Sequence, residues 1–353
     1  MPADIHFLLK KAISKSASDL HLVPGLPPIM RVNGTLEKVG EDRLDQASIE
    51  SMVREVVPPS IVLTPGQDRD VAIEAGSMAR FRLNIYVDRS GTCAAFRLIP
   101  KNMYSLQALG VPDVVSKVAQ MRRGLVLVTG VTGSGKSTTI ASLLDMINET
   151  RSDHIITIED PIEYVHPHKK CVVNQREVGT HVASFAEALR AALREDPDII
   201  LVGELRDLET ISMAMTAAET GHLVLSSLHT RGAAQTIDRI IDVFPAYQQE
   251  QVRIQLADTL EMVVSQVLLP SMDGTRRYLG CEVMLASTGI RQLIRAKKTH
   301  QIPIEIQTHG EEGMITMEKS LKRLIDTGKI SKEMALPWVG DKKLFEMHGL
   351  QGF

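Results

Sequence analysis

Two rhythms of apolar and polar positions divide this chain. Near the start, Ile5, Leu8, Leu9 and Ile13 recur at helical spacing, and Ser18-Asp19-Leu20-His21-Leu22 follows before a turn at Pro24-Gly25. Strand-like runs at 79–87 and 92–99 flank the polar turn Asp88-Arg89-Ser90-Gly91, the pattern of a β-hairpin. Pro100 and the polar Lys101-Asn102 break that pattern, and a linker is expected over 101–120. Residues 1–100 therefore read as a small α/β domain.

From residue 124 the rhythm changes. Short, mostly apolar runs at 125–129, 155–158, 199–202 and 223–227, of the kind that buried strands show, alternate with helical stretches. Such runs predict a largely parallel sheet covered on both faces, and hence a second α/β domain over 121–353. One intervening helix places Phe185, Ala188, Leu189 and Ala192 near one face, with Arg190 and Arg194 one turn apart. The pattern beyond residue 284 is helical until it loses periodicity near Trp338. Repeats and low-complexity tracts are not seen.

Length agrees with two domains, since 353 residues exceed one typical core. Lys+Arg number 40 against 43 Asp+Glu, a formal net charge of -3, so no pooled basic charge marks a nucleic-acid-coating protein. No apolar run approaches the ~18 residues that span a bilayer, and the start lacks a signal-peptide pattern, so a cytoplasmic protein is expected. Cys93, Cys171 and Cys281 are isolated, which favours reduced thiols over disulfides or a cysteine zinc site.

The sharpest chemical signal is Gly130-Val131-Thr132-Gly133-Ser134-Gly135-Lys136-Ser137, a G-x-x-x-x-G-K-[ST] loop between a predicted strand and a predicted helix. Its glycines permit close approach of backbone N–H groups to phosphate oxygens, and the helix N-terminus adds positive potential. Gly130, Thr132, Gly133, Ser134, Gly135, Lys136, Ser137 and Thr138 are thus expected to bind ATP, with Lys136 on the β/γ-phosphates and Ser137 on Mg²⁺.

Such a loop requires acids. The run 199–202 ends in Gly203-Glu204, which makes Glu204 the acidic group expected near Mg²⁺. The run 155–158 ends in Glu159-Asp160-Pro161-Ile162-Glu163; a carboxylate here can orient or deprotonate the attacking water. His222 and His229 bracket the strand at 223–228, and either can reach phosphate if it lies at the carboxyl edge of the sheet. His166, His168 and Cys171 make an incomplete metal set, because tetrahedral zinc wants four ligands.

Taken together these segments resemble the PilT family, the type IV pilus retraction ATPases of the secretion ATPase superfamily. The resemblance rests on Ala17-Ser18-Asp19-Leu20-His21-Leu22, the Walker A loop, Thr157-Ile158-Glu159-Asp160-Pro161-Ile162-Glu163-Tyr164 and Val173-Asn174-Gln175-Arg176-Glu177. It continues through 191–204, Thr220-Gly221-His222-Leu223 and Ser227-Leu228-His229-Thr230. It implies a PAS-like N-terminal domain followed by a RecA-like P-loop ATPase domain with C-terminal helices, assembled as a homohexamer. By the same resemblance Glu163 is the catalytic carboxylate, Glu204 the Walker B acid and His229 a γ-phosphate sensor. Arg82 and Arg97, on the two arms of the hairpin, are the arginines the family donates to phosphate, with Arg80 alternating onto the face of Arg82.

Thr288-Gly289-Ile290-Arg291-Gln292-Leu293-Ile294-Arg295 resembles the family's A-I-R-N-L-I-R retraction motif, with Gly289 for alanine and Gln292 for asparagine. Arg291, Leu293, Ile294 and Arg295 carry over onto it, and Val131 replaces the usual proline or alanine of the phosphate loop. The implied function is a Mg²⁺-dependent motor for pilus retraction and twitching motility. Its place would be cytoplasmic, peripheral at the inner membrane at the pilus base, on a PilC-like platform protein and indirectly against an assembly ATPase. Two alternatives stand beside it. One is an accessory pilus ATPase paralogue with little hydrolysis of its own, which the altered Gly289/Gln292 motif permits. The other is a pilus-assembly or type II secretion ATPase, which usually carries a C-x-x-C zinc element and a longer N-terminal region.

Overall fold

Side-chain caps start many of the helices, and alternating or continuous apolar runs define the strands. The computed structural model describes residues 4–15, 17–32, 34–57, 68–75, 79–99 and 103–340. It divides into two units, 1–102 together with 161–165, and 103–160 together with 166–353. Pro100, Lys101 and Asn102, the expected break after the hairpin, lie outside the described residues, as do 341–353.

In the first unit α1 (Ile5–Ser14) starts where the Asp4 side chain accepts the His6 N–H, and β1 (Asp19–Leu22), β2 (Ile29–Val32) and β3 (Thr35–Lys38) follow. After α2 (Gln46–Val56), capped by Asp45, come β4 (Arg69–Ala75), β5 (Ala79–Asp88) and β6 (Gly91–Ile99). The described strands form one antiparallel sheet in the order β3-β2-β1-β6-β5-β4. Strict alternation in β5 buries Ala79, Phe81, Leu83 and Ile85 with α1 and α2, and leaves Arg80, Arg82, Asn84 and Tyr86 on the other face. The hairpin is tighter than its polar run suggested. Asp88 pairs with Gly91, and the Asp88 carboxylate accepts the Ser90 N–H at 2.7 Å.

The second unit begins earlier than the expected linker allowed. Residues 103–120 fold as α3 (Leu106–Leu109) and a 3-10 helix (Asp113–Gln120), because Leu106, Val111, Val115 and Val118 are apolar enough to join the core beneath the sheet. The chain then runs β7 (Gly124–Thr129), α4 (Lys136–Thr150), β8 (His154–Glu159), β9 (Val172–Glu177), α5 (Phe185–Ala192) and β10 (Ile199–Val202). It goes on through α6 (Leu208–Glu219), β11 (Leu223–Leu228), α7 (Ala233–Asp242), α8 (Gln249–Thr259), β12 (Leu260–Pro270) and β13 (Arg277–Leu285). The C-terminal helices are α9 (Thr288–Arg295), α10 (Ile302–Thr308), α11 (Met317–Asp326) and α12 (Lys332–Ala335).

Its described strands order as β13-β12-β7-β11-β10-β8-β9, parallel except for β13. Every residue of β7, β10 and β11 is buried, as their mostly apolar sequences predict, and the buried hydroxyls of Thr129 and Ser226 are hydrogen-bonded to Ser265 Oγ and Val202 O. Alternate residues feed opposite cores: Leu125, Leu127, Ile200 and Val202 meet α5–α8, while Val126, Val128, Ile199 and Leu201 meet α4. The phosphate-loop strand β7 sits between β11 and β12, with β10 one strand further out. This is the RecA-like arrangement, and with the first unit it gives the α/β two-domain fold expected from the sequence.

Candidate active site

The loop after β7 is held by geometry that only glycine satisfies. Gly130 has φ 145°, and a Cβ there would lie 2.3 Å from the Gln266 carbonyl oxygen and 2.5 Å from Ser134 Oγ. Gly135 enters α4 in the left-handed region, at φ 90°. Ser134 Oγ is buried with no hydrogen-bond partner among the described residues, a polar atom turned into the loop that a phosphate cradle can use. The Gly130 N–H donates to Leu228 O at 3.2 Å, which fastens the loop to the end of β11.

Lys136, the first residue of α4, is 8% exposed. Its Nζ donates to Gly130 O at 2.9 Å and Val131 O at 3.2 Å, and stands 3.5 Å from His229 Nδ1. Gly203 lets β10 approach β8, with its N–H on Ile158 O at 2.8 Å, and delivers Glu204. The Glu204 carboxylate pairs with Arg206 at 2.5 Å and lies 3.7 Å from His229 Nε2. His229 therefore stands between the loop lysine and the strand-tip acid. Burial, then the Lys136 charge, hold its pKa below the ordinary 6.5, against the opposing pull of Glu204.

Ser137 and Thr138 continue the first turn of α4, with Ser137 exposed, and Thr132 and Gly133 form the exposed tip of the loop. Ser137 and Glu204 offer only oxygen, the donor set of a hard divalent cation. The described residues hold no group of three or more His, Cys, Asp or Glu side chains able to bind a metal unaided, so Mg²⁺ held here would take phosphate and water oxygens as well.

Other expected residues fall elsewhere. His222 precedes β11 at the amino edge of the sheet, with its Nδ1 2.9 Å from Ala217 O, so it does not face the loop; strand polarity decides between the two histidines. His166, His168 and Cys171 form no metal-binding group among the described residues: the buried His166 Nδ1 has no hydrogen-bond partner there, His168 Nδ1 accepts the Val173 N–H, and the Cys171 thiol donates to Arg151 O at 3.2 Å. The Glu159 carboxylate accepts from Thr157 Oγ1 at 2.7 Å and Gln175 Nε2 at 3.1 Å, so it braces the end of β8. Glu163, half-buried between the buried Ile162 and Tyr164, belongs to the 161–165 stretch of the first unit.

Within the first unit Arg82 and Arg97 are direct cross-strand partners. Arg82 Nε lies 3.1 Å from Asp70, and Arg97 Nε lies 3.0 Å from Asp19; Asp19 stands in a motif legible in the sequence, whereas Asp70 carries no such signal. Asp19 is itself in register with Arg97 on β6 and Arg31 on β2.

The retraction-like motif forms α9. Ile290 and Ile294 are fully buried and Leu293 packs against the same core. Arg291 donates to the Ala257 and Asp258 carbonyls at 2.6 and 3.0 Å and pairs with Glu261 at 2.9 Å, while Arg295 pairs with Asp258. These arginines satisfy the open C-terminal end of α8. Thr288, Gln292 and Arg295 form the exposed stripe, so the departure at Gln292 lies outward and that at Gly289 lies against Glu305.

The sequence model of the type II/IV secretion system protein family matches residues 2–334. The chain is 47% identical over 334 residues to the type IV pilus retraction ATPase PilT of Pseudomonas aeruginosa, covering 94% of this chain and 97% of that protein. It is 47% identical over 310 residues to a twitching motility protein of Neisseria gonorrhoeae, covering 87% and 83%. A crystal structure of the pilus retraction motor PilT with bound ADP superposes with a TM-score of 0.90 at 45% identity, covering 98% and 99% of the two chains. No described helix is long and apolar enough to cross a membrane. The phosphate loop, the sheet order around it and these full-length likenesses lead to one conclusion: the chain is an ATPase of the type II/IV secretion system protein family and belongs within it to the PilT family of pilus retraction ATPases.

Proposed function

We propose that this ATPase is a Mg²⁺-dependent homohexameric motor that powers type IV pilus retraction and twitching motility. It would work in the cytoplasm at the inner-membrane base of the pilus, on a PilC-like platform protein and in opposition to an assembly ATPase. The observation that carries the chemistry is the convergence of Lys136, Glu204 and His229 at the carboxyl ends of β7, β10 and β11. The likeness to named retraction and twitching proteins along nearly the whole chain supports the output.

In this reading the backbone of 130–138 wraps the phosphates, and Lys136 exchanges its loop carbonyls for β/γ-phosphate oxygens. Bound Mg²⁺, held through Ser137 and Glu204, would neutralise phosphate charge. His229 reports on the γ-phosphate from between Lys136 and Glu204. Glu163 orients or deprotonates the attacking water, and Arg82 and Arg97 of a neighbouring subunit stabilise the charge that develops in transfer. Asp70 and Asp19 keep those guanidinium groups extended from one face of the sheet. Closure and release of subunit interfaces then drive the platform. The exposed stripe of α9 is the surface through which Gln292 and Arg295 bear on coupling rather than hydrolysis. A steady-state assay of Glu163→Ala decides the role of the carboxylate: turnover should fall by about 10²-fold or more, and wild-type turnover would remove Glu163 from the chemistry.

A further inference from the structure

The loop that carries His229 ends on a helix start with no side-chain cap of its own. Gly232 is the N-cap of α7, and the Ala233 N–H is accepted instead by Glu282 Oε1, at 2.8 Å, from the middle of β13. The same carboxyl accepts the N–H of Met317, the first residue of α11. One acidic group, partly buried on β13, thus serves two helix N-termini, whose positive ends favour its charged form. Burial nevertheless pushes the Glu282 pKa up to about 7, and the buried Glu318 nearby adds to the rise.

The C-terminal side of this junction is firmly seated. Val283 and Ile315 exchange two backbone hydrogen bonds, at 2.9 and 3.1 Å, and the Gly340 N–H donates to Glu318 at 2.9 Å. The loop side is tied as well, since Thr230 and Thr236 hydroxyls meet at 2.6 Å and Thr236 donates to Gly232 O at 2.7 Å. Between these anchors the Arg231 guanidinium, two residues beyond His229, stacks on the Trp338 ring with its centre 5.2 Å from the centroid.

We propose that Glu282 and the Arg231–Trp338 stack link the His229 loop to the segment 317–340, so that Glu282 is a positioning residue for hydrolysis and the C-terminal segment reads nucleotide occupancy. The link rests on the reading of His229 as the γ-phosphate sensor. A phosphate that pulls His229 moves a short, internally bonded loop, and its displacement is passed to the two groups that brace the far end. Neither Glu282 nor Trp338 touches substrate in this scheme.

Trp338 is the single tryptophan of the chain, so tryptophan emission of the full-length protein comes from this one site, and Arg231→Ala separates the stack from its other neighbours. Titration with ADP and with a non-hydrolysable ATP analogue should give saturable emission changes that differ between the two nucleotides. In Arg231→Ala both nucleotides should bind with affinity unchanged in calorimetry, while the difference between their emission changes disappears. Glu282→Gln, which retains one acceptor, and Glu282→Ala should lower kcat, the latter by about tenfold, with KM within about twofold. Nucleotide binding that leaves wild-type emission unmoved, or wild-type kcat in Glu282→Ala, would overturn the link. A His229→Ala protein that hydrolyses normally while its emission still distinguishes the nucleotides would instead sink the sensor reading of His229 and leave the contact between loop and segment standing.

Discussion

His229 Nδ1 stands 3.5 Å from the ammonium nitrogen of Lys136. Two groups that can each carry a positive charge disfavour doing so together at this distance, and the imidazole, much the weaker base, yields. Burial and then Lys136 lower the His229 pKa, so the ring is neutral at pH 7 and able to accept or donate one hydrogen bond at either nitrogen. Replacing Lys136 with Met should raise the His229 pKa in a ring-proton NMR titration; an unchanged value would separate the two residues. Stability depends on pH accordingly. The unfolded chain protonates His229 near 6.5 and the folded chain only at lower pH, so its contribution is present above about 6.5 and is lost as pH falls through the window below it.

The opposed pair Arg82 and Arg97 carries the subunit-boundary claim. Arg82→Ala and Lys136→Ala proteins should each be inactive alone. Rings assembled from a mixture should regain ATPase activity, because some boundaries then join an intact Lys136 to an intact Arg82. Absence of recovery in verified mixed rings would place the arginine's action within its own subunit.

The α9 motif makes a thermal prediction with two signs. A Cβ at Gly289 would meet only the end of the Glu305 side chain, at 3.0 Å, which can turn aside, and alanine is the better helix former by up to about 1 kcal/mol. Gly289→Ala should therefore raise the melting temperature slightly. Arg291→Ala removes the donor from the Ala257 and Asp258 carbonyls and leaves Glu261 without that partner, at a cost of about 1–3 kcal/mol. Calorimetric unfolding of both variants checks the pair of signs, and a destabilised Gly289→Ala would contradict the placement against Glu305.

Different physical signals made different parts of the molecule legible. Mostly apolar runs revealed β7, β8, β10 and β11 because strands buried on both faces carry few polar residues, and small ones such as Thr129, Thr157 and Ser226. β9 was hidden because it is an edge strand whose Val172, Asn174 and Gln175 are not core residues. The stretch 103–120 looked like a linker because its apolar residues are spread over a 3-10 helix rather than an α-helical stripe. At the site, the phosphate loop announces Lys136 by spacing alone. The nearness of Glu204 to His229 comes from strand order, which local sequence does not encode. Glu282 has no motif at all, and only the fold brings it to the starts of α7 and α11.

Retraction itself is the central claim, and it is measured by imaging fluorescently labelled pili in living cells lacking this gene, complemented with wild-type protein or with Lys136→Ala. Pili should extend and accumulate without retracting in the deletion strain; the wild-type protein should restore retraction, and Lys136→Ala should not. Pili that retract at wild-type frequency and speed in the deletion strain would contradict the assignment of this ATPase as the retraction motor.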